Sequence, residues 1–447
     1  MSEERIREAA KVVLSTSGAD QLEVTLLQEN QRLTRFANNE IHQNVAHEDV
    51  QVRVRAIRGK KIGTAKVNSL NQQRLKWATR KAIDTAPYGV ENDYFTSLPS
   101  PQRWQPIQAH FPSTEEVSAR RRADVVREVV DKARRSRLSA AGALSVRTRR
   151  FGVFNSLGVD AYHPSTWVRL TSVVSSQDSS GYSEVGSPDF ECVHPARVAD
   201  ESISKCVKGR HPVEVEPGRY DVFLEEYALS EIFNWLAWIG MGARSFQEES
   251  SFMYGRIGEN IMAEKVTVWD DGADPDTFSL PFDFEGVPRR KVTIVERGVA
   301  RGVVYDTLTA ARGGSISTGH ALPPEYSLFG PLPLHLHMAA GPSSKASIIS
   351  SIEKGVMVTR FHYINGLLKP REALFTGMTR DGTFLIENGK LTTPLKNLRF
   401  TESMLRAFTN VAEISKERRV LGGDDFSTFV LPAVWIKDFN FTGRTEF

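Results

Sequence analysis

Cysteine is scarce in this sequence, and its scarcity excludes two common stabilising frameworks. Only Cys192 and Cys206 occur among 447 residues, and they do not form a CxxC pair. A disulfide network and a zinc ribbon both need more cysteines at closer spacing. So few cysteines are typical of a protein in a reducing compartment, and we expect a cytoplasmic location.

Long apolar runs are also missing. The most apolar window, residues 228–243, is interrupted by Ser230, Glu231 and Asn234. It is also shorter than the ~20 residues that a membrane helix needs. The first residues, MSEERIREAAKVVL, are charged and amphipathic, and they lack the apolar centre of a signal peptide. We therefore expect a soluble chain without a membrane partner.

A concentrated basic surface is missing as well. Lys and Arg total 57 against 54 Asp and Glu, which leaves a net charge of +3 with both signs interspersed. Nucleic-acid-binding proteins usually collect their basic residues on one face. The arginines at 120–122 are followed by Asp124, Glu128 and Asp131, a pattern typical of a solvated helix face. We expect no nucleic-acid partner.

The length and the patterning predict an α+β protein of two or three packed units. We expect antiparallel sheets with packed helices in the N-terminal half and a mostly β C-terminal domain. The predicted units are residues 1–88, 113–215 and 218–447, separated by a proline-rich loop and by the VEPGRY segment.

Several elements are predicted from local pattern. Apolar spacing of three and four residues predicts helices over 2–15 and 115–136 and near 195–207. Arg297-Gly298 and Asn388-Gly389 predict the tips of two hairpins. Residues 430–441 alternate as a closing strand does.

The stretch FLEEYALSEIFNWL, residues 223–236, predicts a buried helix directly after a strand. Glu226, Ser230 and Asn234 are four residues apart and line one polar stripe on this helix. Glu225 and Glu226 could simply favour the helix N-terminus electrostatically. A polar stripe on a buried helix must also face something polar, either a cleft or a partner interface.

Other motifs are weaker. GMGARS, residues 240–245, follows a helix and lacks a third glycine, so it predicts a helix stop rather than a dinucleotide loop. His335 and His337 lie two residues apart and share one face of a predicted strand, where they could hold a metal or be ordinary polar side chains. His320 and His362 are not paired with them by any motif.

Five widely spaced blocks carry a resemblance that covers the chain from about residue 19 onward. They are RFANNEIHQNV, VRVRAIRGKKIGTA, PFDFEGVPRRKVTIVERGVARGVVYDTLTA, STGHALP and TGMTRDGTFLIENGKLTTPLKNLRFTESML. Together they resemble the TldD/PmbA family, whose members are called peptide-maturation metalloproteases or modulators of DNA gyrase.

The resemblance implies where a metal site would lie. Proteolytic members carry an HExxxH motif on the helix after a strand, with two zinc-binding histidines, a water-activating glutamate and a cysteine ligand near the C-terminus. In this sequence the two histidine positions are Glu225 and Ser230, and the glutamate position is Glu226. The segment ERRVLGGDDFSTFVLPAVW has no cysteine. The chain therefore looks similar to the PmbA (TldE) branch, which lacks the motif.

This resemblance implies a non-catalytic subunit that pairs with a zinc-bearing TldD-type chain and acts on unfolded peptides. We expect no metal in this chain, a dimer with that partner or with itself, and Ser230, Asn234 and His320 along a peptide groove. The apolar segments 232–239 and 328–338 are candidates for the dimer surface.

Two alternatives stay open. One is a self-sufficient metallopeptidase with unusual ligands, drawn from Glu225, Glu226, His320, His335 and His337. The other is a protein-binding modulator of a toxin–antitoxin or topoisomerase system, without protease activity.

Overall fold

The structure is a computed structural model that describes residues 2–423 and 426–445. In this part of the chain the α-helices are α1 (Glu3–Leu14), α2 (Gln72–Thr85), α3 (Pro112–Glu115), α4 (Ala119–Arg135), α5 (Pro195–Lys208), α6 (Glu226–Gly240), α7 (Ala243–Gln247), α8 (Thr307–Arg312), α9 (Lys345–Ser350) and α10 (Met404–Thr409). Short 3₁₀ turns lie at Ala86–Tyr88, Phe190–Cys192, Pro324–Phe329 and Pro370–Glu372.

The strands form two sheets. Those of the first half are β1 (Gln21–Ala37), β2 (Glu40–Arg58), β3 (Lys61–Val67), β4 (Ser139–Asn155), β5 (Asp160–Ser175) and β6 (Ser180–Ser187). Those of the second half are β7 (Gly218–Leu224), β8 (Val268–Asp270), β9 (Val292–Glu296), β10 (Val299–Ala300), β11 (His335–Met338), β12 (Lys354–Lys369), β13 (Leu374–Glu387), β14 (Lys390–Pro394), β15 (Leu398–Ser403), β16 (Val411–Gly422) and β17 (Thr428–Arg444).

The N-terminal sheet is antiparallel throughout, with the order β3-β2-β1-β4-β5-β6. Helices α1, α2, α4 and α5 pack against it and bury alternate apolar side chains such as Leu22, Val24 and Leu144. Side chains of the opposite face, among them Phe151 and Val153, pack on Phe282 and Phe284 of the C-terminal half. One face of the sheet thus carries the helices, and part of the other packs on the segment that connects β8 and β9.

The C-terminal sheet is mixed and partly closed on itself. Its order is β10-β9-β8-β11-β17-β15-β13-β12-β7, and β7 also pairs with β17. Strands β17, β15, β13, β12 and β7 therefore form a closed ring. Helix α6 packs against β12 and β17, and its apolar residues join the largest core cluster of the described chain.

The α+β prediction is confirmed, and so are most of its local elements. Asn388 and Gly389 have φ of 48° and 73°, and Arg297 and Gly298 have φ of 49° and 80°. These left-handed values are those of a two-residue hairpin turn. The closing strand is β17, and the predicted strand and helix around residue 225 are β7 and α6.

One predicted boundary needs correction, and one feature of the C-terminal sheet was not predicted. The predicted helix over 115–136 begins only at Ala119, because Ser118 is extended and its side chain accepts a hydrogen bond from the backbone of Arg121. The unpredicted feature is that the C-terminal sheet contains two parallel pairings, of β7 with β12 and of β11 with β17. Neither parallel pairing joins neighbours in sequence, so no hairpin signal could indicate it.

The predicted units 1–88 and 113–215 contribute β1–β3 and β4–β6, which join into one sheet through β1 and β4. The division of the chain at these boundaries stays a prediction. Among residues 2–423 and 426–445, no helix is long and apolar enough to cross a membrane.

Candidate functional site

The site is positioned by the junction of β7 and α6. Strand β7 lies between β12 and β17, and Glu225 is the single residue between the strand and the helix. The Glu225 amide donates to the carbonyl of Val358 on β12 at 3.0 Å. Its side chain caps no helical N–H, so a local capping role does not account for this carboxylate.

Both carboxylates at the junction are buried and paired with cations. Glu225 Oε2 lies 2.7 Å from Lys205 Nζ of α5. Glu226 is 0% exposed, and its carboxylate lies 2.6 Å from Lys345 Nζ at the start of α9. Arg419 of β16 reaches the same carboxylate, with Nε 3.6 Å from Oε2.

A third carboxylate closes the arrangement. Glu201 of α5 lies 2.8 Å from Lys205 Nζ and 2.8 Å from an Arg419 guanidinium nitrogen. Three carboxylates thus face three cations, brought together from four elements, α5, α6, α9 and β16, and from the single residue between β7 and α6. We call this set the carboxylate cluster: Glu201, Lys205, Glu225, Glu226, Lys345 and Arg419.

The cluster shifts the pKa values of its members. Desolvation raises the pKa of Glu226, and the opposing attraction of Lys345 does not cancel this. Desolvation would also raise the pKa of Glu201, but Lys205 and Arg419 overcome it and lower that pKa to about 2. Burial lowers the pKa of Lys205, but Glu225 and Glu201 outweigh burial, so its net shift is upward. The carboxylates of Glu225 and Glu201 therefore stabilise the charged form of this lysine.

Zinc does not fit these residues. Catalytic zinc takes three protein ligands from neutral histidine, thiolate or carboxylate side chains. Here the two carboxylates already contact ammonium groups, and Lys205, Lys345 and Arg419 would repel a divalent cation. The Ser230 hydroxyl, at the second ligand position, donates to the carbonyl of Tyr227 at 2.9 Å. Within residues 2–423 and 426–445, no group of three or more His, Cys, Asp or Glu side chains is arranged to hold a metal ion.

Two of the three predicted groove residues lie together. Ser230 and Asn234 are partly exposed on α6 and line one polar cavity of about 240 Å³. His320 lies elsewhere, fully buried, with Nε2 2.8 Å from Asp270 Oδ1. The His320 side chain lines neither this polar cavity nor the others described in the structure. A role of Ser230, Asn234 and His320 in a peptide groove stays a prediction.

His335 and His337 are both buried on β11, and they do not share a ligand-binding arrangement. His335 contacts the Arg289 guanidinium through Nδ1 at 2.9 Å and the Phe278 carbonyl through Nε2 at 3.0 Å. His337 stacks on Trp269 with ring centroids 5.3 Å apart. None of the recorded contacts of these two histidines involves Glu225 or Glu226.

Sequence reasoning missed the three cations of the cluster. Glu201 and Lys205 are four residues apart on α5, which is the one local signal that could have paired them. Lys345 and Arg419 are more than a hundred residues from Glu226 in the chain. Only the packing of α9 and β16 beside α6 brings them to the carboxylates.

The apolar segments proposed for a dimer surface are largely core. Ile232, Phe233, Leu236 and Leu336 are all 0% exposed. At the edges of these two segments, the side chains of Trp238, Leu328 and Phe329 are exposed.

Acid should weaken the fold through Glu201. A carboxyl group with a depressed folded-state pKa contributes stability above its unfolded pKa, near 4.5, and loses it as pH falls toward about 2. A shift of this size corresponds to about 3 kcal/mol. Urea unfolding at a series of pH values should show the difference between the native chain and Glu201→Gln shrinking from pH 5 to pH 2. Glu8→Gln, at an exposed glutamate of α1, should have nearly the same free energy of unfolding as the native chain at every pH. If the difference in unfolding free energy between the native chain and Glu201→Gln did not depend on pH, the lowered pKa of Glu201 would be contradicted.

Two regions of the chain match family models. Residues 217–443 match the PmbA/TldA metallopeptidase C-terminal domain, and residues 23–86 match the PmbA/TldA metallopeptidase domain 1. The first match alone covers more than half of the chain.

Curated relatives include metalloprotease TldD homologs. The one from Buchnera aphidicola subsp. Acyrthosiphon pisum is 27% identical over 225 residues, which is 49% of this chain and 43% of that protein. The one from Haemophilus influenzae is 28% identical over 172 residues, which is 38% of this chain and 35% of that protein. The chain thus spans less than half the length of these relatives.

Solved structures share the whole fold. TldE from Thermococcus kodakarensis has a TM-score of 0.85 at 21% identity, with 99% of each chain covered. A structure from Thermotoga maritima has a TM-score of 0.84 at 16% identity, covering 99% of this chain and 100% of that one. At such identities the likeness concerns the fold, while the match over residues 217–443 concerns the family. The chain therefore belongs to the PmbA/TldD metallopeptidase family.

Proposed function

We propose that this chain is the non-catalytic subunit of a two-chain zinc metallopeptidase that processes unfolded peptides. A TldD-type partner supplies the zinc and the glutamate that activates water. This chain supplies part of the surface that receives the peptide. A cytoplasmic location and a homodimer in the absence of the partner belong to the same proposal.

The observation that carries the proposal is the pairing of Glu225 and Glu226 with Lys205, Lys345 and Arg419. A general base must be free to take a proton from water within hydrogen-bond reach. Glu226 is fully buried and has two cations as partners. Its carboxylate therefore serves to neutralise charge inside the fold and not to activate water.

An exposed apolar region supports assembly with a partner. Tyr363, Leu367 and Leu368 of β12 are 79%, 63% and 48% exposed. Exposed apolar patches of this kind often mark protein–protein contacts. The region lies where β12 approaches β13.

Replacing Glu226 tests the proposal. In a reconstituted complex with a TldD-type partner, Glu226→Gln in this chain is expected to change the rate of peptide cleavage by less than tenfold. The matching glutamate of the partner is the control, because loss of a general base typically costs about 10² to 10⁴ in rate. Rates should be measured on complexes that are shown by light scattering to be intact.

Equal loss of activity from both replacements, with both complexes assembled, would mean that this chain has its own catalytic site. The same conclusion would follow if the purified chain held about one transition metal ion that a chelator removed together with an activity. Either result would favour the self-sufficient metallopeptidase.

A further inference from the structure

Two cavities meet on the open side of α6. The polar cavity of about 240 Å³ is lined by Tyr227, Ser230, Glu231 and Asn234 of this helix. An apolar cavity of about 200 Å³ is lined by Asn234, Ala237 and Trp238. Both are also bounded by Ser427 and Phe429, so they adjoin along the helix, and we call the pair the groove.

One carboxylate of the polar cavity, that of Glu231, has no ion-pair partner of its own among the described residues, although two arginines and a second glutamate also line the cavity. Its two arginines are already paired, Arg169 with Glu184 at 2.7 Å and Arg360 with Asp381 at 2.5 Å. Glu231 is exposed, and the structure records no ion pair or hydrogen bond between its carboxylate and any described residue. Desolvation nonetheless raises the pKa of Glu231, and Arg360 opposes this only in part. A cationic group is the ligand that would satisfy this carboxylate.

Asn234 adds a second open polar group. Its side-chain amide also has no recorded partner among residues 2–423 and 426–445, and it lies one helical turn after Glu231 at the boundary of the two cavities. An amide oxygen accepts hydrogen bonds from an ammonium group, and its NH₂ donates to a peptide carbonyl. Together the two side chains can bind an amino group and the backbone beside it.

The second cavity suits an apolar side chain. Its aromatic walls include Trp238, Tyr326, Phe329 and Phe429, and proline and leucine side chains complete it. The rings of Trp238 and Phe329 pack edge to face with centroids 4.5 Å apart. Aromatic walls of this kind bury a large area of apolar side chain.

We propose that this groove binds the amino-terminal end of a peptide. The α-ammonium group contacts Glu231 and Asn234, and an apolar side chain further along the peptide enters the cavity beside Trp238. The proposal rests on the proposed function in one respect, since it names the class of peptide that this subunit receives.

The spacing along α6 indicates which side chain enters the apolar cavity. Glu231 and Trp238 are seven residues apart, which corresponds to about 10 Å along a helix. An extended peptide covers that distance in about three residues. The favoured ligand is therefore a peptide with a free amino terminus and an apolar residue at its third position.

The test uses the purified full chain and short peptides with a fluorophore at the carboxyl end. The reference peptide has a free amino terminus and phenylalanine at its third position. Acetylation of its amino terminus is expected to weaken binding, measured by anisotropy, at least tenfold, as for the loss of a charge-assisted hydrogen bond. Replacing the phenylalanine by serine should weaken binding to a similar degree.

Variants assign the effect to the groove. Glu231→Gln is expected to remove most of the preference for the free over the acetylated peptide, and the charge reversal Glu231→Lys should abolish it. The matched control is Glu8→Gln on the exposed face of α1, which should keep the full preference. Circular dichroism should show the same secondary structure in all variants.

A further peptide separates the two sources of an ammonium group. An acetylated peptide with lysine as its first residue tests whether a side-chain amine can replace the terminal one. If this peptide binds as tightly as the reference, the site recognises lysine and the assignment to the amino terminus is wrong. Equal binding of free and acetylated peptides, or equal losses in Glu231→Gln and Glu8→Gln, would overturn the whole inference.

The proposed function is measured separately, by cleavage in the reconstituted complex. If the complex assembles and cleaves peptides while the groove shows no preference for a free amino terminus, only this inference fails. If the purified chain shows the preference but cleaves peptides without a partner, the non-catalytic role fails and the binding site stands.

Discussion

Lys205→Met is expected to lower the free energy of unfolding by about 3–5 kcal/mol, because it leaves a buried carboxylate without its cation. The Lys205 and Glu225 side chains are only 9% and 8% exposed, and Lys205 is the recorded ion-pair partner of Glu225. Methionine has nearly the same length, so lost packing contributes little. Chemical unfolding followed by circular dichroism measures the change.

The double variant Lys205→Met, Glu225→Gln is the informative control. Removing both charges should restore more than half of the loss, since an apolar or neutral pair often replaces a buried ion pair at small cost. Lys208→Met, at an exposed lysine of the same helix, should change stability by less than about 0.5 kcal/mol. A Lys205→Met variant as stable as Lys208→Met would show that the pair does not hold α5 against α6.

Asp270→Asn is expected to be as destabilising, again by about 3–5 kcal/mol. Asp270 is fully buried at the end of β8, accepts a hydrogen bond from the His335 amide at 2.7 Å and lies 3.8 Å from Arg289. Burial alone would raise the pKa of Asp270, but Arg289 and His320 hold it well below its usual range. The neutral amide would remove the charge of the carboxylate that forms the ion pair with the buried Arg289 guanidinium. Thermal and urea unfolding of the variant measure the loss.

Asp276→Asn provides the comparison for Asp270, because Asp276 is exposed in the same segment. Its unfolding free energy should stay within about 0.5 kcal/mol of the native chain. Adding Arg289→Met to Asp270→Asn should recover part of the stability. No recovery would mean that the hydrogen bonds of Asp270, and not its charge, hold this region together.

The strand and helix at residue 225 show how far sequence patterns extend. The alternation of RYDVFL and the apolar face of the following residues predict β7 and α6 because both depend on neighbours a few residues away. The spacing of Glu226, Ser230 and Asn234 correctly indicates one polar side of the helix. It does not distinguish Glu226, which faces cations in the core, from Ser230 and Asn234, which face a cavity.

His320 and His335 show the opposite case. Both were candidates for a ligand set because histidine is a common metal ligand, yet each is held in a buried polar network around Asp270 and Arg289. Asp270 and Arg289 lie 50 and 31 residues before His320 in the chain, and no spacing rule links residues at such distances. Asp270 and His335 come together because β8 pairs with β11. Arg289 and His320 reach them from loops between the strands.

The sequence by itself determined the α+β class, the tight hairpin turns, the buried helix after β7 and the lack of imidazole and thiol ligands at the expected motif positions. These features follow from backbone conformation and from residue identity, which are local properties. Only the tertiary structure decided that Lys205, Lys345 and Arg419 neutralise the carboxylates, that the C-terminal strands close into a mixed ring, and that Glu231 opens into a groove. Those outcomes depend on charges and surfaces from distant segments, which come within ångströms of each other only when the two sheets and their helices pack.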